Sequence, residues 1–153
     1  MKVAVSYSGK QRKRVLKITR ILQRHMSTPE CPHPVFFDQD FQHEICRLNG
    51  GNHLLSIYRQ AQLVIVFLSP TYADSKYCYD EWRTIANRFL SNPKNKDATQ
   101  LLLIKLGEYD MEQLGLVDRD FPLNGMRRTN EQIAHIIFQR WEAVEKNLKG
   151  NDQ

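Results

Sequence analysis

The chain has few cysteines and no long apolar run. Its 153 residues include only three cysteines, Cys31, Cys46 and Cys78, an odd number at no framework spacing, so we expect reduced thiols rather than disulfides. No stretch approaches the ~20 consecutive apolar residues of a membrane-spanning helix. The first residues run directly into a strand pattern without the layout of a signal peptide. The composition therefore predicts a cytoplasmic protein with no membrane partner.

Acidic residues are also in deficit, with 17 Asp and Glu against 22 Lys and Arg and a formal net charge of +5. A basic chain can bind nucleic acid, so the location of the charge matters. Much of it lies on one side of a predicted helix at residues 11–26, opposite the apolar side: Lys13, Lys17, Arg20 and Arg24. No stacking aromatic residues or groove-reading motif accompany this charge. A solvated helix face explains it, and we expect no nucleic-acid partner.

Several common sites are missing from the sequence. Histidines and cysteines occur between residues 31 and 53, but without the paired spacing of a zinc site, so we expect no metal. The glycine fingerprint of dinucleotide-binding folds, the P-loop and the nucleophile elbow of hydrolases are also absent. We therefore expect no bound cofactor. The apolar runs at residues 3–7 and 63–68 end in Ser-Tyr-Ser and Leu-Ser-Pro, not in the acidic residues that a phosphoacceptor receiver domain needs to hold its metal.

Short apolar runs alternate with segments of helical periodicity along the chain. The runs are rich in β-branched, Leu and Phe residues without strict alternation, which is typical of parallel strands covered on both faces. Strands are predicted at residues 3–7, 35–37, 63–68, 101–106 and, from a weaker pattern, 121–123. Helices are predicted at residues 11–26, 52–61, 75–91 and 129–147. A helix or turn is predicted at residues 110–115, with Asp110 as its N-cap and Gly115 at its end. The predicted fold is α/β, a flavodoxin-like doubly wound five-stranded parallel sheet of order 2-1-3-4-5 flanked by helices.

We predict one domain over residues 1–148, because the length is that of a single domain and no internal repeat or low-complexity tract appears. Residues 149–153 are polar. They form either a frayed tail or the start of a linker to a further domain.

The predicted fold also places a binding crevice. Ligands of doubly wound sheets bind outside the carboxyl ends of the strands where strand order reverses, here between strands 1 and 3. Strand 1 leads into Tyr7, Ser8, Gly9 and Lys10. Hydroxyls, a glycine, a cation and the start of a helix suit an anionic phosphate. Strand 3 leads to the helix at residues 75–91.

Glu81 is the most informative residue of that helix. On a helical wheel the apolar residues occupy a sector of ~80°. They are Cys78, Trp82, Ile85, Ala86 and Phe89. Asp80 points away from this sector, whereas Glu81 lies at its border with water. A boundary glutamate paired with Lys or Arg is the ordinary alternative, but the phosphate-compatible loop next to the helix favours a catalytic carboxylate.

Four blocks together resemble a TIR domain, the Toll and interleukin receptor homology fold, of the bacterial enzymatic type. They are residues 3–8, 35–38, 64–72 and 75–82. The last block is the most specific, because enzymatic TIR domains carry an aromatic-Cys-x-x-Glu motif there. In this chain the motif is Tyr77, Cys78 and Glu81.

The resemblance implies an enzyme that cleaves the bond between nicotinamide and ribose in NAD, which is substrate rather than cofactor. By that likeness Glu81 is the catalytic carboxylate and Tyr77 packs against nicotinamide or ribose. Tyr7, Ser8, Gly9 and Lys10 are candidates for binding NAD, the last three at its phosphates. Phe37 and Asp38 are candidates for the site wall. Cys78 braces the helix from the core side or contacts the substrate.

The resemblance further implies activation by self-assembly through TIR–TIR contacts, in a bacterial anti-phage defence system with a sensor domain or protein as partner. The product is ADP-ribose or a cyclic ADP-ribose isomer, and the residues do not distinguish these. Two alternatives remain open. One is a non-enzymatic signalling scaffold that acts through TIR–TIR contacts. The other is a nucleoside deoxyribosyltransferase, which also uses a glutamate on a doubly wound fold.

Overall fold

The computed structural model describes residues 2–37, 50–74, 76–90, 100–116 and 122–151, with side chains except at residues 50–54, 73, 76, 77 and 151. Its strands are β1 Val3–Ser6, β2 Val35–Phe36, β3 Leu63–Leu68, β4 Leu101–Lys105 and β5 Leu123–Asn124. Every neighbouring pair is parallel, and the order is β2-β1-β3-β4-β5. The predicted sheet and its strand order are confirmed.

Helices fill the connections between the strands. They are α1 Arg12–Met26, α2 Gly50–Gln60, α3 Lys76–Phe89, α4 Met111–Leu114 and α5 Asn130–Asn151. Short 3-10 helices at Gly9–Gln11 and Tyr72–Asp74 precede α1 and α3. Both 3-10 helices follow the carboxyl ends of central strands, so they lie at the edge of the sheet where a doubly wound fold binds its ligand.

The ends of α4 follow from its sequence. The Asp110 side chain accepts hydrogen bonds from the backbone N–H groups of Glu112 and Gln113, at 3.0 and 3.3 Å. This N-cap satisfies donors that have no partner inside the helix. Gly115 ends the helix with φ 68°, a left-handed conformation that glycine adopts without strain. Both ends agree with the prediction.

The sheet separates two cores, because successive strand residues point to opposite faces. Val3 and Val5 pack with α1 and α5 on one side, which we call the α1/α5 face. Ala4 and Phe36 pack with α2, α3 and α4 on the other, which we call the α2/α3 face. All six residues of β3 are buried, as expected for a central strand with a continuous apolar run.

Predicted and observed elements differ mainly at their ends. The edge strand β5 begins at Leu123, and residue 121 lies outside the described residues. Helix α5 extends to Asn151, three residues into the segment that we predicted as a polar tail. The helix continues because no proline interrupts it and because Lys149 Nζ lies 3.3 Å from Glu145 Oε1, one turn earlier.

Two predictions from composition can be compared with the described residues. The basic side chains of α1 are exposed, which confirms a solvated helix face: Lys13, Lys17, Arg20 and Arg24. Cys31 and Cys78 are thiols, whereas Cys46 lies outside the described residues. Across the described part of the chain, no helix combines the length and the hydropathy needed to cross a membrane.

Candidate active site

Glu81 lies on α3 under the carboxyl end of β1. It is 5% exposed, whereas its neighbour Asp80 is exposed. The solvent-facing position of Asp80 is confirmed, but Glu81 is more buried than the border position that the helical wheel predicts. A wheel counts only the residues of one helix. In the fold, β1 and α2 also cover this side chain, through Ser6 and Tyr58.

Two neutral hydroxyl groups hold the Glu81 carboxylate. Ser6 Oγ donates to Glu81 Oε2 at 2.6 Å, and the Tyr58 hydroxyl donates to the same oxygen at 3.1 Å. A distance of 2.6 Å is typical of a strong O–H bond to an ionised acceptor. Because hydrogen bonds to the charged form favour ionisation, both donors support a carboxylate in a site that is otherwise shielded from water.

Tyr72 extends this arrangement by one more hydrogen bond. Its hydroxyl oxygen lies 2.6 Å from Ser6 Oγ. Ser6 has one hydroxyl proton, which it gives to Glu81, so Tyr72 is the donor in the bond between Ser6 and Tyr72. The resulting chain runs from Tyr72 to Ser6 to Glu81. We call Ser6, Tyr58, Tyr72 and Glu81 the Glu81 network.

The tyrosines of the Glu81 network keep their protons. Burial raises the pKa of Tyr58 and that of Tyr72 well above the ordinary value of 10.0, and the negative charge of Glu81 raises both further. Deprotonation would place a second negative charge beside the carboxylate in a medium of low polarity. Both groups are therefore hydrogen-bond donors over the whole physiological pH range.

The rings of the Glu81 network are fixed by their neighbours. Tyr72 packs edge-on against Trp82, with centroids 6.4 Å apart, and the Trp82 indole N–H donates to the Leu114 carbonyl at 2.8 Å. Tyr58 packs edge-on against Phe36, with centroids 6.5 Å apart. These contacts fix the hydroxyl positions, because aromatic rings packed this way have little rotational freedom.

A second pair of hydroxyls joins the loops that follow β1 and β3. Ser8 Oγ and Thr71 Oγ1 lie 2.7 Å apart. One hydroxyl proton makes this bond, so the proton of the other hydroxyl can be donated to a ligand. Gly9 and Lys10 are exposed beside this pair. Ser8, Gly9 and Lys10, which the sequence suggests for a phosphate, thus lie beside Thr71 at this edge of the sheet.

Gly9 is not needed for steric reasons. A methyl group added at its Cα would meet nothing within 4 Å, and Gly115 is the glycine with a positive φ among the described residues. The conformational freedom that the sequence suggested for this position is therefore not used. Gly9 instead leaves the backbone exposed at the start of the 3-10 helix.

Tyr7 and Phe37 occupy a different place from the one predicted. Their rings stack on each other at 5.1 Å with an interplanar angle of 4°, within the core of the α1/α5 face. Phe37 is 1% exposed, so its ring is core rather than the wall of a ligand site. Strand alternation is the reason, because Phe37 points to the same side as Val35 and away from Glu81.

The remaining predicted residues of the site divide into two groups. Cys78 is buried, and its Sγ donates to the Tyr7 carbonyl at 3.5 Å, so it braces α3 against the chain that follows β1. Asp38 lies outside the described residues, and the Tyr77 side chain is not among the described side chains. In the described part of the chain, no group of three or more His, Cys, Asp or Glu residues could hold a metal ion.

Three residues of the Glu81 network were missed by the sequence analysis. Ser6 could have been noticed, because it is a serine among the apolar residues of β1 and strand alternation places it on the α2/α3 face with Ala4. Tyr58 and Tyr72 carry no such signal. Each looks like an ordinary core aromatic until the packing of α2 and the 3-10 helix is known.

Comparisons with known proteins bear on the family. A family model described as the TIR domain matches residues 3–137, which is most of the chain and includes the Glu81 network. A search of curated proteins found no match.

Proposed function

The chain belongs to the TIR domain family, and we propose that it cleaves NAD between nicotinamide and ribose with Glu81 as the catalytic carboxylate. The observation that carries this proposal is the position of Glu81. A carboxylate that is 5% exposed lies at the end of β1, where strand order reverses, and accepts hydrogen bonds from Ser6 and Tyr58. Buried carboxylates with specific partners in a predicted cleft are candidates for catalysis.

The chemistry needs a negative group beside the ribose. When the bond to nicotinamide breaks, its electrons leave with the nicotinamide ring and the ribose carbon becomes an oxocarbenium-like cation. Glu81 would stabilise or capture this cation, as the paired carboxylates of glycoside hydrolases do. Water, or a hydroxyl or base nitrogen of the same substrate, then completes the reaction, giving ADP-ribose or a cyclic isomer. Burial strengthens the interaction because the surroundings polarise weakly.

The loops after β1 and β3 would hold the rest of the substrate. The Ser8 and Thr71 hydroxyls, the backbone at Gly9 and the Lys10 ammonium group can bind the diphosphate. Tyr77, one turn before Glu81 on α3, is proposed to pack against nicotinamide or ribose, and Asp38 to line the site. Cys78 acts from the core side.

We further propose that activity requires self-assembly through TIR–TIR contacts, in the cytoplasm and in response to a sensor domain or protein. A bacterial anti-phage defence system is the setting that fits such an enzyme. Because only the assembled enzyme would be active, NAD would be depleted only while the sensor signals.

The test is release of nicotinamide from NAD by concentrated or crowded protein. We expect activity in the wild type and a fall of about 10²- to 10⁴-fold in Glu81→Gln, the range for loss of one catalytic acid or base. Asp80→Asn is the matched control, because it changes the neighbouring carboxylate on the exposed side of the same helix. Circular dichroism checks that each variant is folded.

Three outcomes would contradict the proposal. Full activity of Glu81→Gln would remove Glu81 from the reaction. Silence of the wild type under assembly conditions would favour a scaffold that acts only through TIR–TIR contacts. Cleavage of nucleosides in a parallel assay, with NAD left intact, would favour deoxyribosyl transfer.

A further inference from the structure

Ser6 makes a short hydrogen bond to the Glu81 carboxylate. It is buried, and its single hydroxyl lies 2.6 Å from both Glu81 Oε2 and the Tyr72 hydroxyl. Strand pairing holds its backbone, because Ser6 is in register with Val66 of the central strand β3. A hydroxyl fixed on a central strand between a donor and a carboxylate has one available orientation.

We infer that Ser6, backed by Tyr72, is a positioning residue that fixes the Glu81 carboxylate and keeps it ionised for the reaction. This inference rests on the proposed function. Ser6 touches neither NAD nor the reacting atoms in this account and acts through Glu81. Tyr72 donates to Ser6, and Ser6 donates to Glu81, so both protons point toward the carboxylate.

The direction of the hydrogen bonds from Tyr72 to Ser6 to Glu81 depends on which of these groups keeps its proton. Tyr72 is buried beside the charge of Glu81, and its pKa is raised for both reasons, so it retains its proton and remains the first donor. Cys78 lies near enough to raise the pKa of Tyr72 slightly further. Tyr58 from α2 and Tyr72 from the 3-10 helix thus interact with the charge of Glu81, and Cys78 from α3 lies beside Tyr72.

Tyr58 is the weaker of the two donors to Glu81. Its single proton is divided between the Val5 carbonyl and Glu81 Oε2, each 3.1 Å from the hydroxyl oxygen. The Ser6 hydroxyl donates its one proton to Glu81 Oε2 at 2.6 Å, whereas the Tyr58 hydroxyl lies 3.1 Å from the same oxygen. Hydrogen bonds to ionised groups strengthen as they shorten. Loss of Ser6 should therefore affect the carboxylate more than loss of Tyr58.

Ser69 provides a matched comparison in the same region. It follows β3, as Ser6 ends β1, and it is 2% exposed, but its hydroxyl has no hydrogen-bond partner among the described residues. Ser6→Ala and Ser69→Ala thus remove the same atom at similar burial. They differ in that the Ser6 hydroxyl connects Tyr72 to the carboxylate.

The experiment compares steady-state cleavage of NAD by the full chain under assembly conditions. In Ser6→Ala we expect kcat to fall by about 10- to 100-fold, with KM changed by less than about twofold, because the lost bond orients Glu81 rather than NAD. The acid limb of the pH–rate profile should move up by about one pH unit, because a donor to the ionised form is gone.

Two further variants separate positioning from structure. Ser6→Thr keeps the hydroxyl and should restore the wild-type pH profile, whereas Ser69→Ala should leave kcat and the profile unchanged. Tyr72→Phe removes the donor behind Ser6 and should shift the acid limb in the same direction by a smaller amount. If Ser6→Ala does not fold, Tyr72→Phe tests the inference in its place.

A readout without turnover distinguishes the failure of this inference from the failure of the proposed function. Carbon NMR of the Glu81 side-chain carboxyl, assigned by its loss in Glu81→Gln, should titrate at higher pH in Ser6→Ala and Tyr72→Phe than in the wild type. If the wild type releases no nicotinamide, the proposed function fails and this titration still decides the role of Ser6. If NAD is cleaved but the titration and the pH profile are the same in all variants, the inference is overturned.

Discussion

The two faces of the sheet are buried to a similar degree but carry different chemistry. On the α1/α5 face, the core is built from hydrophobic side chains, and the buried Thr19 hydroxyl donates to the Leu16 carbonyl of its own helix. On the α2/α3 face, the apolar core surrounds the Glu81 network. The same strands supply both faces, because successive residues of a strand point to opposite sides of the sheet.

This difference indicates how stability and function are divided. An apolar core can be large and tolerant because its packing is not directional. A buried carboxylate is destabilising unless its charge is satisfied by well-placed donors. The α2/α3 face supplies such donors in Ser6 of β1 and Tyr58 of α2, with Tyr72 behind Ser6, so the positions of these elements around Glu81 are constrained by hydrogen bonds as well as by packing.

A cavity of similar size can be made on each face of the sheet. Leu22 of α1 and Ile85 of α3 are both fully buried, and Leu22→Ala and Ile85→Ala should each lower the free energy of unfolding by about 2–5 kcal/mol, measured in urea. Ile85 lies one turn after Glu81, so Ile85→Ala should also lower kcat by about 10-fold through a shifted carboxylate.

Leu22→Ala serves as the control in this pair. At a temperature where both variants are fully folded, it should cleave NAD with the kcat of the wild type. Equal losses of kcat in the two variants would mean that the faces are not functionally distinct.

A smaller effect concerns alkaline pH. The unfolded chain releases tyrosine protons near pH 10, whereas the folded protein retains those of Tyr58 and Tyr72 because the pKa of each is raised. Their contribution to stability is complete below pH 10 and is lost as pH rises through the folded-state pKa values. The free energy of unfolding should therefore fall above pH 10 by up to about 1.4 kcal/mol per pH unit for each tyrosine.

Urea unfolding at a series of pH values measures this slope. Tyr58→Phe should make it shallower, because one of the two tyrosines with a raised pKa is then gone. In Glu81→Gln, near-ultraviolet absorbance should show Tyr58 and Tyr72 titrating at lower pH but still above 10, since burial is the larger cause. An unaltered titration in Glu81→Gln would argue against contact between the carboxylate and these tyrosines.

Much of the fold could be predicted from the sequence because it is encoded locally. The continuous apolar run of β3 indicated a central strand, and the Asp110 and Gly115 signals marked the two ends of α4. Strand order followed from the fold class. The ends of β5 and α5 were less predictable, because an edge strand and a terminal helix have few constraints in their own sequence.

The candidate site was predictable only in part. Glu81 could be identified from its helix and motif, but Ser6 and Tyr58 lie 75 and 23 positions away in the chain. No helical wheel includes such partners. Phe37 differs in the opposite direction, since the family resemblance suggested it for the site wall, although alternation with Val35 puts it on the other face.

The most direct test is a crystal structure with an NAD analogue that cannot be cleaved at the bond between nicotinamide and ribose, prepared at high protein concentration. We expect the ribose carbon that bears nicotinamide to lie about 3–3.5 Å from a Glu81 carboxylate oxygen, the separation of reacting atoms poised for reaction. The diphosphate should lie beside Ser8 and Lys10. An analogue bound with that carbon far from Glu81, and with the carboxylate still enclosed by Ser6 and Tyr58 alone, would contradict the account.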